Sequence, residues 1–571
     1  MNHVDTRNQA APQVVIRMAG NTSRWMPDEG LRSPGPWGRG HCFVGDKLVA
    51  CETVSAESPL GLRLASGAFE DVIKECNGHF VLVAVCRNEI CAAVDRVRSI
   101  PLYYAVQGGL LYLADDAYWV EQQLGNPGQI ERLAAAEFLL TGFVTGADTL
   151  VGSLRQLQAG EYLSARHESG AWRVGAKRYF VLADNIRERS RPQLVDEFGA
   201  SLDASMDRLL AFANDRVLAL PLSGGFDSRL LALKLKQRGV VRRVVAFTYG
   251  VPGNRDSSAS KEMADALGFQ WAFVPYSEEQ WKSWYASSTF REFLRSCDGL
   301  SALPYITSFP AVWFLREKAL LPDDAVFMPG HTLDFISGAQ IPLKYKTCST
   351  VSRDELVRDI YQKHYGKWSW DYVRSEVPGV EPRSILARIL SRCACVPPEV
   401  MPVSQAIDLF EAWNWQERQA KAIVNTVRIC EFWKHPWHLP YWDGDILAFW
   451  KSVPHFHRFN RKLAGEYIED LSFALTGKRH ADLWPERPYG FMAEGLPRRL
   501  LCKFLDAMAN TTHMGLGRLT SKNPLALYGV VDRRRLRQTW GKASLPHSYW
   551  ISDRLQAILE TRSLGDSARC A

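Results

Sequence analysis

The sequence has no long apolar run. No stretch reaches the ~18–20 apolar residues that a membrane-spanning helix requires, and the strongest candidate, residues 80–85, has the length of a buried strand. Residues 1–5 include an early acid and no apolar segment, so they do not resemble a signal peptide. We therefore expect a cytoplasmic protein without a membrane span.

The chain also has only a small excess of positive over negative charge. Lys and Arg total 69 against 62 for Asp and Glu, and a net charge of +7 is mild for 571 residues. This balance does not favour nucleic acid or an anionic membrane as a partner. With 46% hydrophobic and 23% charged residues, the chain is not mainly disordered or fibrous. Its length exceeds what one hydrophobic core usually supports, so we expect at least two domains.

Cysteine and histidine do not form a clear metal or disulfide framework. The 12 cysteines are scattered, and without an export signal they are expected to be reduced core thiols. The Cys-Ala-Cys of residues 393–395 and the histidine pairs at 435–438 and 455–457 lack a second ligand pair close by. We assign these residues structural or surface roles.

The first part of the chain favours strands. Residues 1–40 are rich in Pro, Gly and Asn without a clear period, so we expect them to be partly irregular. Beyond them, two hairpins and a helix are predicted, at residues 80–85 with 89–94, 102–106 with 110–113, and 130–141. This pattern predicts an α+β domain built on antiparallel sheet.

Strands and helices alternate after a charged connector at residues 187–192. The predicted strands are 216–220, 244–249, 271–274 and 325–328, and the predicted helices are 194–213, 229–238 and 260–267. Alternation of this kind predicts a parallel sheet covered by helices. Beyond residue 346 the chain is expected to be mostly helical. We divide the chain into domains at residues 1–185 and 190–571.

The segment Ser-Gly-Gly-Phe-Asp-Ser, residues 223–228, lies between a predicted strand and a predicted helix. Gly224 and Gly225 permit a tight turn and close approach of a ligand, and the helix N-terminus that follows suits phosphate. Ser223 and Ser228 can add hydroxyl donors, whereas Asp227 suits Mg²⁺ that bridges phosphate oxygens. An ordinary glycine-rich turn is the alternative. The segment lacks the Gly-Lys-[Ser/Thr] ending of a Walker loop, which disfavours γ-phosphate transfer.

This segment resembles the pyrophosphate loop of the N-type ATP pyrophosphatases, and further segments resemble asparagine synthetase. They follow in the order of that family: Gly78-His79-Phe80, Asp95-Arg96 with Ile100-Pro101-Leu102-Tyr103-Tyr104, Gly330-His331-Thr332-Leu333-Asp334-Phe335 with Gly338, Leu439-Pro440-Tyr441-Trp442-Asp443, and Val453-Pro454 with Lys462. The resemblance implies an α/β protein. Its N-terminal part would be an Ntn-hydrolase-like antiparallel sandwich, and its C-terminal part a parallel-sheet ATP pyrophosphatase domain (adenine nucleotide α-hydrolase-like) with a helical extension.

The resemblance also implies ATP and Mg²⁺ as cofactors. A substrate carboxylate would attack the α-phosphate of ATP, giving an acyl-adenylate and pyrophosphate, and an amine would then form the amide and release AMP. The site residues that it implies are Ser223, Gly224, Gly225, Asp227 and Ser228 for pyrophosphate, Asp227 and Asp334 for Mg²⁺, Lys462 for the leaving pyrophosphate, and Leu222, Phe247 and Gly330 for adenine.

The sequence departs from the family pattern at several positions. Asn2 stands where glutamine-hydrolysing members carry the nucleophilic Cys, so glutaminase activity is not expected. His331 replaces a Glu thought to assist the attacking amine, and a His of ordinary pKa could accept a proton there. A loop His hydrogen-bonded to a neighbour is the alternative. Phe335 replaces a second Glu, and His438 replaces an Arg.

Three functions remain open. The first is an amide-forming ligase that acts on aspartate or another carboxylate, such as a uronic acid, with ammonia or an amine as second substrate and a homodimer as the candidate assembly. The second is an intramolecular lactam or macrolactam cyclase of the lasso-peptide type. The third, from another class, is a nucleotide-binding scaffold without catalysis. Nucleic acid is not an expected partner of any of them.

Overall fold

The computed structural model describes residues 13–18, 20–25, 36–86, 89–125, 128–479, 524–539, 542–543 and 546–564. It has a mixed α/β architecture with several sheets, one of them parallel, and many helices. Asn2 lies outside the described residues. None of the helices in these ranges is both long and apolar enough to span a membrane.

Two sheets form the N-terminal part. Their strands are β1 (Gln13–Met18), β2 (Asn21–Trp25), β3 (Pro36–Val44), β4 (Lys47–Ala50), β5 (Cys76–Cys86), β6 (Glu89–Val94), β7 (Tyr103–Gln107), β8 (Leu110–Ala114), β9 (Arg155–Gln156), β10 (Glu161–Glu168) and β11 (Ala171–Arg178). The strand orders are β2-β1-β8-β7-β9 and β11-β10-β6-β5-β3-β4. All pairs are antiparallel except β1 with β8. Both predicted hairpins are confirmed.

Strand β5 divides the N-terminal core because its side chains alternate between two faces. Val81 and Val83 join the core that contains β1, β7 and β8. Phe80 and Leu82 face the opposite side, where they pack with helices α1 (Pro59–Ala65) and α2 (Phe69–Glu75). Helices α3 (Ala117–Gln123) and α4 (Arg132–Thr141) complete this part, and α4 confirms the helix predicted at 130–141.

Residues 1–40 were expected to be partly irregular, and the described part of that range is strand rather than irregular chain. Strands β1 and β2 and the start of β3 lie there. The apolar Val14-Val15-Ile16 of β1 is buried and pairs in parallel with β8, so tertiary pairing overrides the local Pro and Gly content.

A parallel sheet follows, in the order β14-β13-β12-β15. Its elements are α5 (Arg191–Ala213), β12 (Leu218–Pro221), α6 (Phe226–Gln237), β13 (Val244–Gly250), α7 (Arg255–Leu267), β14 (Gln270–Pro275), α8 (Glu278–Ala286), α9 (Ser288–Asp298), α10 (Phe309–Glu317) and β15 (Val326–Phe327). The central strand β12 is buried on both faces, as expected for a parallel sheet covered by helices. The predicted alternation of strands and helices is confirmed.

The remainder is mostly helical, as predicted. It comprises α11 (Leu333–Ile336), β16 (Thr350–Ser352), α12 (Arg353–His364), α13 (Trp370–Glu376), α14 (Pro382–Ser391), β17 (Val400–Pro402), α15 (Val403–Asn414), a π-helix (Trp415–Ile423), α16 (Arg428–Phe432), α17 (Gly444–Ser452), α18 (His455–Arg458), α19 (Lys462–Thr476), α20 (Arg533–Gln538) and α21 (His547–Leu559). Nine cysteines in the described ranges carry free thiols, in agreement with the expectation of reduced cysteines.

Candidate nucleotide and metal site

The loop between β12 and α6 is closed by its own serines. The Ser223 backbone N–H donates to Ser228 Oγ at 3.1 Å, and the Gly225 N–H donates to Ser223 Oγ at 3.2 Å. Gly225 is the N-cap of α6 and supplies no side-chain acceptor. The first amide N–H groups of this helix therefore lack a side-chain cap, and such a terminus attracts anions.

Gly330 allows a second loop to pack directly on the first. A Cβ atom at this position would lie 2.9 Å from both the backbone N and the Cα of Ser228, closer than real contacts permit. Only glycine therefore lets the segment that follows β15 approach the start of α6. This contact places Asp334, on α11, beside Asp227, on α6.

Asp227 and Asp334 form a close carboxylate pair. The Asp334 backbone N–H donates to Asp227 Oδ2 at 3.1 Å. Burial and the neighbouring charge of Asp334 raise the pKa of Asp227 to about 7. Two carboxylates that repel each other in a low dielectric favour a cation between them. Mg²⁺ is commonly held by one or two carboxylates together with substrate phosphates and water, so the pair fits it. No larger cluster of potential ligands occurs among the described residues.

Polar side chains that the sequence did not identify hold Asp334 in place. Gln340 Nε2 donates to Asp334 Oδ2 at 2.7 Å, and Asn414 Nδ2 donates to Gln340 Oε1 at 2.8 Å. Asn414 is buried at the end of α15, where the chain enters the π-helix. A buried amide needs a polar partner, which explains the Asn414–Gln340 contact, but the burial of Asn414 was not visible in the sequence.

Tyr441 connects the 439–443 segment to the loop. Its hydroxyl donates to the Asp227 carbonyl oxygen at 2.6 Å. Two residues earlier, the Leu439 backbone N–H donates to His79 Nε2 on β5 at 3.1 Å. The 439–441 segment thus joins the N-terminal sheet to the start of α6.

The residues assigned to adenine lie together at the carboxyl ends of the strands. The Leu222 N–H donates to the Phe247 carbonyl oxygen at 2.8 Å, and both side chains are buried. The Phe247 ring packs edge-on against Phe327 at 5.9 Å between centroids. These side chains therefore belong to the core as well as to the loop, and their contact with adenine stays a prediction.

His331 forms no side-chain hydrogen bond within the described part of the chain. Both of its ring nitrogens are buried, and burial lowers its pKa to about 4. The imidazole is therefore neutral at pH 7 and can accept a proton only weakly. The alternative of a loop His bonded to a neighbour is not what the described residues form, and the catalytic assignment stays a prediction.

Arg461 is the cation nearest the carboxylate pair. Its Nη1 lies 3.8 Å from Asp227 Oδ1, and its guanidinium lies 4.6 Å from the centroid of the Phe226 ring. Lys462, the residue predicted from the sequence, is exposed at the start of α19. Asn460 and Arg461 precede it with φ angles of 55° and 52°, both left-handed. Arg461 was not among the residues predicted from the sequence.

Comparison with known proteins identifies two domains in the chain. Residues 56–180 match the glutamine amidotransferase domain family, and residues 197–318 match the asparagine synthase family. No curated protein matches.

A solved structure, the U34-tRNA thiolase NcsA from Methanococcus maripaludis with its [4Fe-4S] cluster, is 12% identical over 67% of this chain and 93% of its own. Its TM-score is 0.22, at which no common fold follows. The two family matches, in contrast, supply a consistent order. A glutamine amidotransferase domain precedes an asparagine synthase domain in this chain, which is the architecture of the asparagine synthetase family.

Proposed function

We propose that the chain is an ATP-dependent amide-forming ligase of the asparagine synthase type that releases AMP and pyrophosphate. The observation that carries this proposal is the Asp227–Asp334 pair beside a serine-closed loop at the N-terminus of α6. Residues 190–571 would form this ligase domain, with an ATP pyrophosphatase fold and a helical extension. Residues 1–185 would form an Ntn-type domain without glutaminase activity, and the protein would act in the cytoplasm.

The first step activates the acceptor. A carboxylate oxygen of the acceptor attacks the α-phosphorus of ATP, and the bond from that phosphorus to the β-phosphate oxygen breaks. The amides at the start of α6 and the hydroxyls of Ser223 and Ser228 would hold the leaving pyrophosphate. Arg461 and Lys462 would offset the charge that develops on it. Mg²⁺, held by Asp227 and Asp334, would supply further neutralisation when bound.

The second step forms the amide. A neutral amine attacks the activated carbonyl carbon, and the bond from that carbon to the AMP oxygen breaks. The amine nitrogen must lose a proton in this step. We assign the removal of that proton to His331, whose unprotonated imidazole has no hydrogen-bond partner among the described residues and can, as a weak base, take the proton from the acidic ammonium formed on attack.

The nitrogen source is proposed to be ammonia or a substrate amine. Hydrolysis of glutamine would need an activated nucleophile, and Asn2 lacks one. Cys42 does not supply the missing nucleophile. Its hydrogen bond with Cys51 and, to a smaller extent, its burial raise the pKa of its thiol and disfavour the thiolate. The missing nucleophile also suits intramolecular lactam closure, in which acid and amine belong to one substrate.

An ATP–pyrophosphate exchange assay with a panel of carboxylic acids tests the proposal. We expect exchange with at least one acid, and a loss of ~100-fold or more in Asp227→Asn, as for removal of one charge-stabilising group. Asp265→Asn, an exposed carboxylate on α7, is the matched control and should retain activity. Absence of exchange with every acid, together with calorimetric absence of Mg-ATP binding, would favour the non-catalytic scaffold.

A further inference from the structure

A cavity of about 110 Å³ is linked to Asp334 through Arg418 and Gln340. Its walls come from the turn after α4, the segment at residues 303–305, the end of α12, the π-helix and α21. Arg418, in the π-helix, lies 3.5 Å from Gln340 Oε1 through its Nη1, and Gln340 in turn holds Asp334. The cavity is therefore one side chain away from the proposed metal site.

Three cationic side chains line this cavity, and within the described residues the one carboxylate that acts on them is Asp334, which favours the charged form of Lys363 without forming an ion pair with it. They are Lys363, Lys367 and Arg418, and none forms an ion pair with an Asp or Glu within the described ranges. The Lys367 ammonium lies 5.5 Å from the centroid of the Tyr305 ring. Burial would raise the pKa of the Tyr305 phenol, but Lys367 and Arg418 outweigh it and lower that pKa. Like charges gathered in a partly buried site repel one another unless an anion joins them.

Two histidines add donors that have no acceptor. His364 and His547 line the cavity, and all four of their ring nitrogens are buried without a hydrogen-bond partner in the described chain. Burial lowers the pKa of His547 to about 3, so its ring is neutral and carries one N–H. The His547 ring packs edge-on against Tyr305, 4.7 Å away between centroids. Buried donors are normally paired, and an oxyanion would pair these.

We propose that this basic cavity, defined by Tyr305, Lys363, Lys367, Arg418 and His547, binds a second anionic group of the acceptor. That group is a carboxylate or phosphoryl group other than the carboxyl that reacts with ATP. The proposal rests on the proposed function, because it assigns the acceptor of that reaction. The guanidinium group of Arg418 and the ammonium groups of Lys363 and Lys367 can donate charge-assisted hydrogen bonds to the oxygens of either anion.

The cationic residues of the basic cavity, Lys363, Lys367 and Arg418, lie outside the segments that match known families, and so does His547. His547 comes from α21, close to the C-terminal end of the described chain. Under this proposal, selection of the acceptor depends on cationic residues outside the family matches together with Tyr305, which lies inside one of them.

Isothermal titration of the full chain without nucleotide tests the proposal. The probes are succinate, inorganic phosphate and, as a monoacid of equal carbon number, butyrate. We expect succinate or phosphate to bind at least tenfold more tightly than butyrate. Lys367→Gln and Arg418→Gln should each weaken that binding about tenfold or more, as for loss of a charge-assisted hydrogen bond. Lys318→Gln, an exposed lysine at the end of α10, should leave it unchanged.

Several outcomes would overturn the proposal. They are equal binding of butyrate and succinate, no binding of either dianion, or unchanged binding in both glutamine variants. Where a glutamine variant does not fold by circular dichroism, Lys367→Arg decides, because preserved binding supports the role of the charge and lost binding contradicts it. These titrations contain no ATP, so they are independent of the ligase proposal. Exchange activity that is equal with butyrate and succinate would contradict the cavity assignment alone.

Discussion

Metal binding at Asp227 and Asp334 should depend on pH in a defined way. The pKa of Asp227 is raised to about 7 by burial and by Asp334, so a metal must displace a proton from the pair below that pH. For one such group, the apparent affinity for Mg²⁺ should fall about tenfold from pH 8 to pH 6. Binding should release about half a proton at pH 7 and about nine tenths of one at pH 6.

Calorimetry in two buffers of different ionisation enthalpy measures both quantities, with Mn²⁺ counted by paramagnetic resonance as a second probe. Asp334→Asn removes the neighbouring charge, so the metal should bind more weakly and the proton release at pH 7 should decrease. Asp371→Asn, an exposed carboxylate on α13, is the control. An affinity that is equal at pH 6 and pH 8, with no proton release, would refute the assignment of this pair as the metal site.

The same shift predicts how stability changes in the absence of metal. Between pH 3.8 and about 7 the folded protein keeps a proton on Asp227 that the unfolded chain has released, so stability falls as pH rises through this window. Burial and the charge of Asp334 both raise the pKa of Asp227, so removing that charge should lower this pKa. Asp334→Asn should therefore raise the denaturation midpoint at pH 8 while abolishing exchange activity. A lower midpoint would contradict this reasoning.

Three further predictions concern the support of the site. Burial lowers the pKa of His41, His79 and His438. Below pH 6.5 the unfolded chain therefore binds protons that the folded protein does not. The free energy of unfolding should fall with acidity by up to ~1.4 kcal/mol per pH unit for each of these histidines. Urea midpoints at pH 7 and pH 5 measure this, and His438→Gln should flatten the slope, whereas an unchanged slope would contradict the reasoning. Gly330→Ala should lower exchange activity at least tenfold because the Cβ of the alanine would clash with the backbone at the start of α6. Wild-type exchange rates in this variant would contradict the prediction, since they would show that the two loops can move apart. Tyr441→Phe removes one hydrogen bond to the loop and should cost ~0.5–1.5 kcal/mol in exchange kcat/KM, with no change if the bond is unimportant.

The sequence predicted the elements whose signal is local. Strand β12 and helix α6 follow from a short apolar run, a glycine turn and a helical pattern, and the loop between them was located by its Ser-Gly-Gly-Phe-Asp-Ser motif. The roles of Gln340 and Arg461 could not be predicted in this way. Each reaches the carboxylate pair only after loops distant in sequence come together, and neither has a distinctive neighbour in the chain. The burial of His331, which makes it a weak base, likewise depends on tertiary packing.

The N-terminal part contributes directly to the proposed nucleotide site, because its strand β5 holds the segment that contacts the loop between β12 and α6. His79 accepts the Leu439 N–H at 3.1 Å, and Asn77 Oδ1 accepts the Gly444 N–H at 2.9 Å. Between these two contacts lies Tyr441, whose hydroxyl donates to the carbonyl of Asp227. Without the β5 strand, two largely buried donors would lose their acceptors, at a cost of about 1–3 kcal/mol each. The tyrosine would then lose its fixed position. The N-terminal sheet therefore acts on the proposed nucleotide site through position, a role that requires no chemistry of its own.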